Sequence, residues 1–169
     1  MDVDLMADGA QIGEDALLEA LNSTPIVDGA ATDRWADDAV LAGWSRQHGG
    51  SGAPDELDRL RVVRADLQAV VSGSRPADVL DRHLAGVTAS PAVADGAVTW
   101  RLDTTSPVVR LVLAWSDAAH RWPGRLRPCA NDECRLYLLD RSRPGNARWC
   151  SMRTCGNRLK ARRHHERTH

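Results

Sequence analysis

The chain carries four cysteines, all within its last third, in the pattern Cys129-x4-Cys134-x15-Cys150-x4-Cys155. Two close pairs separated by a loop are the spacing a tetrahedral metal site needs. Each tight turn supplies two thiolates, and the loop carries the second turn across to face the first. Zinc suits such a set because it is borderline-soft and indifferent to ligand angle. Four cysteines close the coordination sphere and leave no position for water, so the expected site is structural rather than catalytic. Two disulfides, or four independent core cysteines, are the competing readings. Compartment weighs against disulfides. The start, MDVDLMADGA, has neither the basic flank nor the apolar centre of a signal peptide. No run reaches the roughly 18 apolar residues of a membrane span. A cytoplasmic location is expected, where disulfides rarely persist. The cysteine-bearing segment is also near the size at which a small domain needs a metal to fold.

The surroundings of each pair agree with this. Pro128 to Cys134 forms a polar knuckle. Leu136, Leu138 and Asp140 alternate with Tyr137 and Leu139 as in a strand, Pro144-Gly145-Asn146 turns the chain, and Arg148-Trp149-Cys150 is the expected return. Ser151 is placed to cap a final helix running to His165 or beyond, with Met152, Cys155 and Leu159 facing the metal.

Charge sharpens the division. The formal net charge is −1, but Met1 to His120 carries 9 basic and 19 acidic residues, and Arg121 to His169 carries 13 basic and 4 acidic. Such asymmetry points to a basic segment that meets a polyanion. The candidate nucleic-acid contacts are Arg148, Arg153, Arg158, Lys160, Arg162, Arg163 and Arg167, from the return and the outer faces of the last helix. Their guanidinium groups suit phosphate neutralisation, and the leading ones could read guanine. A solvated basic helix end, or a protein partner, is the other reading. Further arginines, from Arg121 to Arg143, raise the density.

The acidic part reads as mainly helical. Glu14 to Leu21 is a short helix broken by Asn22-Ser23-Thr24-Pro25. A second runs from near Asp37 to Gln47, with Val40, Leu41 and Trp44 as its inner stripe and Gly49-Gly50 as its end. A third opens on Pro54, buries Leu57, Leu60, Val63, Leu67, Val70 and Val71, and stops at Gly73. Ser74 is expected to cap a shorter helix with Val79, Leu80 and Leu84 inward. Val98, Trp100 and Leu102 alternate after the Asp95-Gly96 turn signal, predicting a small hairpin with partners near Gly86 to Val93. Ser106-Pro107 opens a helix to about His120 that is apolar nearly all round and therefore central. Trp122-Pro123-Gly124 closes this domain.

Enzymatic constellations are weak. His165-Glu166-Arg167-Thr168-His169 matches the zinc-protease pattern, but nothing follows it to supply a third ligand, and an exposed tail is the simpler reading. A zinc deaminase would place His-x-Glu upstream of Pro-Cys-x-x-Cys; here His164 to Glu166 lies downstream of Pro128-Cys129, whose next cysteine comes five positions on. His48, His83 and His120 are isolated. No enzyme activity is expected.

Residues 148–158, Arg-Trp-Cys-Ser-Met-Arg-Thr-Cys-Gly-Asn-Arg, resemble the signature of the CGNR zinc-finger family, and Cys155-Gly156-Asn157-Arg158 is its four-letter motif. Leu139 to Gly145 is similar to the family's approach to its third cysteine. More loosely, Asn22-Ser23-Thr24, Trp44 and the Leu57 to Val71 helix resemble the domain that precedes this finger, the ABATE or stress-induced transcription regulator domain. The resemblance implies a bacterial, and within bacteria an actinobacterial, DNA-binding regulator. Trp149, Gly156 and Asn157 are then motif residues: Gly156 permits close packing behind the knuckle, Asn157 ties its backbone, and Arg158 contacts phosphate or an acidic group of the first domain.

The expected fold is a mainly α (α+β, with a small hairpin) N-terminal domain followed by a small treble-clef-like four-cysteine zinc-finger module, a hairpin plus C-terminal helix. The boundaries are a loose acidic start over 1–13, an ABATE-like domain over 14–122, the zinc finger over 126–165 and a flexible tail over 166–169. The expected cofactor is one structural Zn2+ held by Cys129, Cys134, Cys150 and Cys155. The expected function is a DNA-binding transcriptional regulator with an acidic sensor, dimerisation or masking domain, located in the cytoplasm at the nucleoid. The alternative is a zinc-stabilised RNA- or protein-binding adaptor. DNA, RNA or protein, and a second copy of the chain are the partners considered; a membrane is not.

Overall fold

The structure, a computed structural model, describes residues 12–94 and 96–157. Among the described residues four α-helices build one core. Helix α1, Glu14–Leu21, starts with two acidic residues at its positive end and stops at Asn22. Helix α2, Asp38–Gln47, is capped by the Asp37 carboxylate, which accepts from the Ala39 and Val40 N–H groups. Helix α3, Pro54–Val71, has proline in its first turn and ends at Gly73, whose φ of +75° an L side chain rarely adopts. Helix α4, Pro107–Arg121, is the centre: Val108, Leu111, Val112, Ala114 and Ala118 are buried against α1, α3 and a 3-10 segment, Ala77–His83. Leu17, Leu21, Leu41, Leu60, Val63, Leu67 and Leu80 complete the core. No helix among the described residues is long and apolar enough to cross a membrane.

Three two-stranded antiparallel ladders decorate this core: β1 (Ile26–Val27) with β2 (Ala30–Ala31), β3 (Ala89–Ala94) with β4 (Ala97–Leu102), and β5 (Leu126–Pro128) with β6 (Tyr137–Leu139). The β3–β4 register pairs Ala89 with Leu102 and Val93 with Val98, as the alternation predicts. That hairpin contributes nothing to the core cluster, and Val93 and Val98 are exposed at its tip.

Two details differ from the sequence reading. Val40 is exposed, and the buried face of α2 is Leu41, Ala42, Trp44 and Ser45. The buried arc centres on Leu41 and Ser45, and Val40 lies about 100° to one side of Leu41. Ser74 caps no helix: its hydroxyl donates to the Ala69 carbonyl behind it, and the next segment is a 3-10 helix preceded by Pro76.

Buried polar groups lock the loops to the helices. Arg64 on α3 makes a two-pronged ion pair with Asp33 at 2.6 and 2.8 Å, donates to Ser23 Oγ at 2.9 Å and lies over the Trp35 ring. Asp66 receives Arg82 and His83 and so pins the 3-10 segment to α3. Glu56 closes the loop between α2 and α3, accepting from the Ser45 hydroxyl and from the Ser51 and Gly52 N–H groups. Gly50 must lack a side chain there, since a Cβ would collide with Ser45 Oγ and come within 2.6 Å of Glu56 Oε1.

The β5–β6 ladder docks the cysteine-bearing segment on this body. Leu126 and Tyr137 pack against the core cluster. Asn22 pairs with the edge of β6 like a strand: its Oδ1 accepts from Tyr137 N at 2.7 Å and its Nδ2 donates to Tyr137 O at 3.2 Å. The Tyr137 hydroxyl donates to Gln68 O, and Trp122 Nε1 to Glu14 Oε1.

Three of these carboxylates sit below their ordinary range. For Asp33 the hydrogen bonds from Arg64 are the main cause. For Glu56 and Asp66 burial works the other way, and is outweighed by Ser45 and the loop N–H groups in one case and by Arg82 and His83 in the other. A carboxyl depressed in the folded state contributes stability that is complete above the ordinary carboxylate pKa and is lost as pH falls through the depressed value. Urea midpoints are therefore expected to fall steeply below about pH 4.5, the ordinary value for Glu56. Glu56→Gln is expected to cost about 1–3 kcal/mol at neutral pH and to flatten part of that acid slope; an unchanged slope would show that Glu56 does not carry it.

Candidate metal centre

The β5–β6 ladder hands the chain directly to the first knuckle. Cys129 follows β5, and its N–H donates to Leu136 O at 2.8 Å. The turn tightens through Cys134 N to Asn131 O at 2.8 Å. Asn131, fully buried, holds both sides of the site: Oδ1 accepts from Glu133 N, and Nδ2 donates to Cys155 Sγ at 3.5 Å. Ala130 N donates to Arg148 O at 2.8 Å, so the two knuckles are joined by backbone as well as by sulfur chemistry.

The second knuckle begins at Cys150. Ser151 caps a π-helical turn, Met152–Gly156, that carries Cys155; the Ser151 hydroxyl accepts from Thr154 N. Three expectations change here. Arg148 to Cys150 is not a return strand, because β6 pairs with β5 instead. Met152 is exposed rather than turned to the metal. The helix is described only as far as Asn157, so Leu159 and the remainder of the expected helix lie outside the described residues.

The loop between the knuckles is organised by Asp140, which is buried. Its carboxylate accepts from the Ser142 hydroxyl and N–H, Ala147 N and Arg127, and these bonds hold it below the ordinary carboxylate range, with the Ser142 hydroxyl the main cause. Gly145 has φ +63° and admits the Arg125 guanidinium at close range, which a side chain there would crowd.

The four sulfurs converge, all within 4.8 Å of one another, and none is in a disulfide. Cys150 Sγ lies 3.7 Å from both Cys134 Sγ and Cys155 Sγ. A tetrahedron with metal–sulfur arms of about 2.3 Å has edges of about 3.8 Å. The spacing therefore fits zinc; a disulfide needs about 2.05 Å. Donors also aim at the sulfurs: Cys150 N reaches Cys129 Sγ at 3.4 Å, and Asn131 reaches Cys155 Sγ. Without a cation the set cannot ionise together. Burial is the leading cause that pushes the Cys134 thiol up to about 11, and it pushes Cys150 higher still, with the neighbouring sulfurs adding to it. At Cys155 burial is outweighed by Asn131 and the other cysteines, and the thiol is lowered. A dication relieves that repulsion and takes the place of the protons.

Residues 125–168 match the family model of the CGNR zinc finger. Comparison with curated proteins returns no match. With the family match and the sulfur geometry together, Cys129, Cys134, Cys150 and Cys155 hold one structural zinc ion.

The motif residues fall behind the zinc finger's second knuckle. A Cβ on Gly156 would lie 2.9 Å from Met152 Sδ and 3.1 Å from Trp149 Cδ1, so glycine lets both close over it. Asn157 Nδ2 donates to Arg153 O within its own turn. Arg148 and Arg153 are exposed, and the Arg148 guanidinium lies over the Trp149 ring at 5.2 Å. Arg158, Lys160, Arg162, Arg163, Arg167 and the His165-Glu166-x-x-His169 tail lie outside the described residues.

Sequence reasoning missed the roles of Asn131, Asp140 and Asn22. Asn131 stood inside a knuckle read only as polar. Asp140 had a local signal, a carboxylate two residues before Ser142 and ahead of Pro144-Gly145, the pattern of a side chain that closes its own turn. Asn131→Ala is expected to weaken zinc by about 10–100-fold, as loss of a group that orients a ligand does. Competition with a chromogenic chelator reads this, and an affinity equal to wild type would remove Asn131 from the site.

Proposed function

We propose that the chain is a zinc-dependent DNA-binding transcriptional regulator whose zinc finger contacts nucleic acid through arginine. The observation that carries this reading is how the zinc finger distributes its cations. Arg127 is spent on Asp140 and loop carbonyls, Arg125 on the carbonyls of Asp140 and Ser142, and Arg141 on Glu14 and Asp15 of α1. Among the described residues, Arg135, Arg143, Arg148 and Arg153 have no carboxylate partner. Exposed guanidinium groups that fold and zinc do not require are available to phosphate. The Arg148 guanidinium lies over the ring of Trp149, the residue next to the zinc ligand Cys150.

The role of zinc in this reading is structural. Its four sulfur ligands leave no open position, so we propose a binding protein and not an enzyme. The acidic helical body, with its looser resemblance to the ABATE domain, supplies the sensor or dimerisation surface. Among the finger's described arginines, α1 masks Arg141 alone. Action in the cytoplasm, at the nucleoid, follows from a DNA partner.

Fluorescence anisotropy on a mixed-sequence duplex tests the proposal. Binding is expected to weaken steeply with salt, because phosphate contacts release condensed counterions. Arg148→Ala and Arg153→Ala are each expected to weaken binding and to reduce the salt slope by about one. Arg141→Ala is expected to leave that slope unchanged. Salt-independent affinity would sink the proposal, and tighter binding to RNA than to DNA would move it to the RNA-binding adaptor.

A further inference from the structure

The four sulfurs are equivalent as ligands and unequal in their surroundings. Cys129 and Cys155 are buried, whereas Cys134 and Cys150 are half-buried. Cys129 Sγ accepts the Cys150 N–H, and Cys155 Sγ accepts the Asn131 amide. Among the described residues no N–H donates to Cys150 Sγ. A donor pointed at a metal-bound thiolate draws on its lone pairs and blunts its attack on electrophiles. Cys150 is thus reachable from solvent, carries no N–H donor of the kind that blunts Cys129 and Cys155, and stands 3.7 Å from two other sulfurs. The other half-buried sulfur, Cys134, belongs to the opposite knuckle and lies 3.7 Å away.

We propose that Cys150 is a modification site for small oxidants of the peroxide class, and that Cys134 resolves it. In the first step the Cys150 thiolate attacks one peroxide oxygen. An S–O bond forms, the O–O bond breaks, and the hydroxide released takes a proton to become water. Cys150 is then a sulfenic acid. In the second step the Cys134 thiolate attacks Cys150 Sγ, the S–S bond forms, the S–O bond breaks, and the hydroxide that leaves takes a proton to become a second water. The two sulfurs together supply the two electrons that reduce the peroxide. The new bond ties one knuckle to the other and removes two of the four zinc ligands, so zinc is released. Cys155 is also 3.7 Å from Cys150, but it is buried and holds the Asn131 bond, which leaves Cys134 as the resolving partner.

This inference stands on the metal centre alone and is independent of any nucleic-acid partner. Its test uses the full zinc-loaded chain and two reagents. Substoichiometric iodoacetamide followed by peptide mass mapping is expected to place the label on Cys150, several-fold above Cys129 and Cys155. Hydrogen peroxide is expected to release one zinc per chain, read with a chromogenic chelator, together with a Cys134–Cys150 cross-linked peptide. Even labelling of the four cysteines, first labelling of a buried one, or zinc retained under peroxide would overturn the proposal. A cross-link from Cys150 to Cys155 would overturn the role given to Cys134. Zinc-loaded Asn131→Ala supplies a further arm: Cys155 labelling is expected to rise toward that of Cys150, and an unchanged pattern would overturn the account of donors.

Discussion

Four thiolates within 4.8 Å of one another repel, and burial compounds the repulsion. That single electrostatic constraint organises the basic half of the chain. The segment from Arg125 to Asn157 has one three-residue ladder, one π-helical turn and little apolar core of its own: Leu138 is its one buried large aliphatic side chain. Zinc turns the repulsion into the bond that closes the fold. The hydrogen bonds from Asn131 and from the Cys150 backbone aim donors at sulfur, and they raise the cost of any arrangement in which the sulfurs are not charged and gathered.

The helical body supplies further support, through polar pairing and apolar contact together. Asn22 imitates a strand against Tyr137, and Tyr137 and Leu126 reach the core built by α1, α3 and α4. The Asn22-Ser23-Thr24 segment does three jobs at once. Asn22 holds the zinc finger, Ser23 accepts from the buried Arg64, and Thr24 accepts from Gln68, whose own carbonyl receives the Tyr137 hydroxyl. The finger therefore does not hang from a linker. Its orientation is fixed by polar groups that are themselves fixed by helix packing.

How much of this was legible in the sequence depends on where each signal is stored. Cysteine spacing is local geometry, so the zinc site could be read directly. Helix starts and stops were legible for the same reason, since Asp37, Pro54, Gly73 and Pro107 act on their own neighbours. Faces were less so. Val40 and Leu41 are adjacent and both apolar, and only the close approach of Ala42 and Ser45 to the core decides that Leu41 goes inward. Met152 failed because its spacing from Cys155 assumes α-helical periodicity, and a π-helical turn carries it off that face. Asn22 stood out in the sequence as a helix breaker and as part of the looser resemblance, but its pairing with Tyr137, like that of Asn131 with Cys155, depends on a partner brought up by the tertiary fold.

The arginines show the same limit most sharply, and they bear on whether the opposed charges of the two halves cancel in space. Arg141 and Arg143 stand two positions apart in one loop, alike in the sequence. Arg141 meets Glu14 and Asp15 at the positive end of α1, where those carboxylates already answer the helix dipole. Among the described residues Arg143 has no such partner. Exposed pairs of this kind contribute little energy, about 0–1 kcal/mol each. Their effect is on the field. Among the described residues, ion pairs between the two halves form where Arg121 and Arg141 meet Glu14, Asp15 and Asp117, whereas Arg135, Arg143, Arg148 and Arg153 have no carboxylate partner. A near-neutral chain can therefore keep arginines without carboxylate partners at one end, because its net charge is a sum over both halves and not a pairing of them.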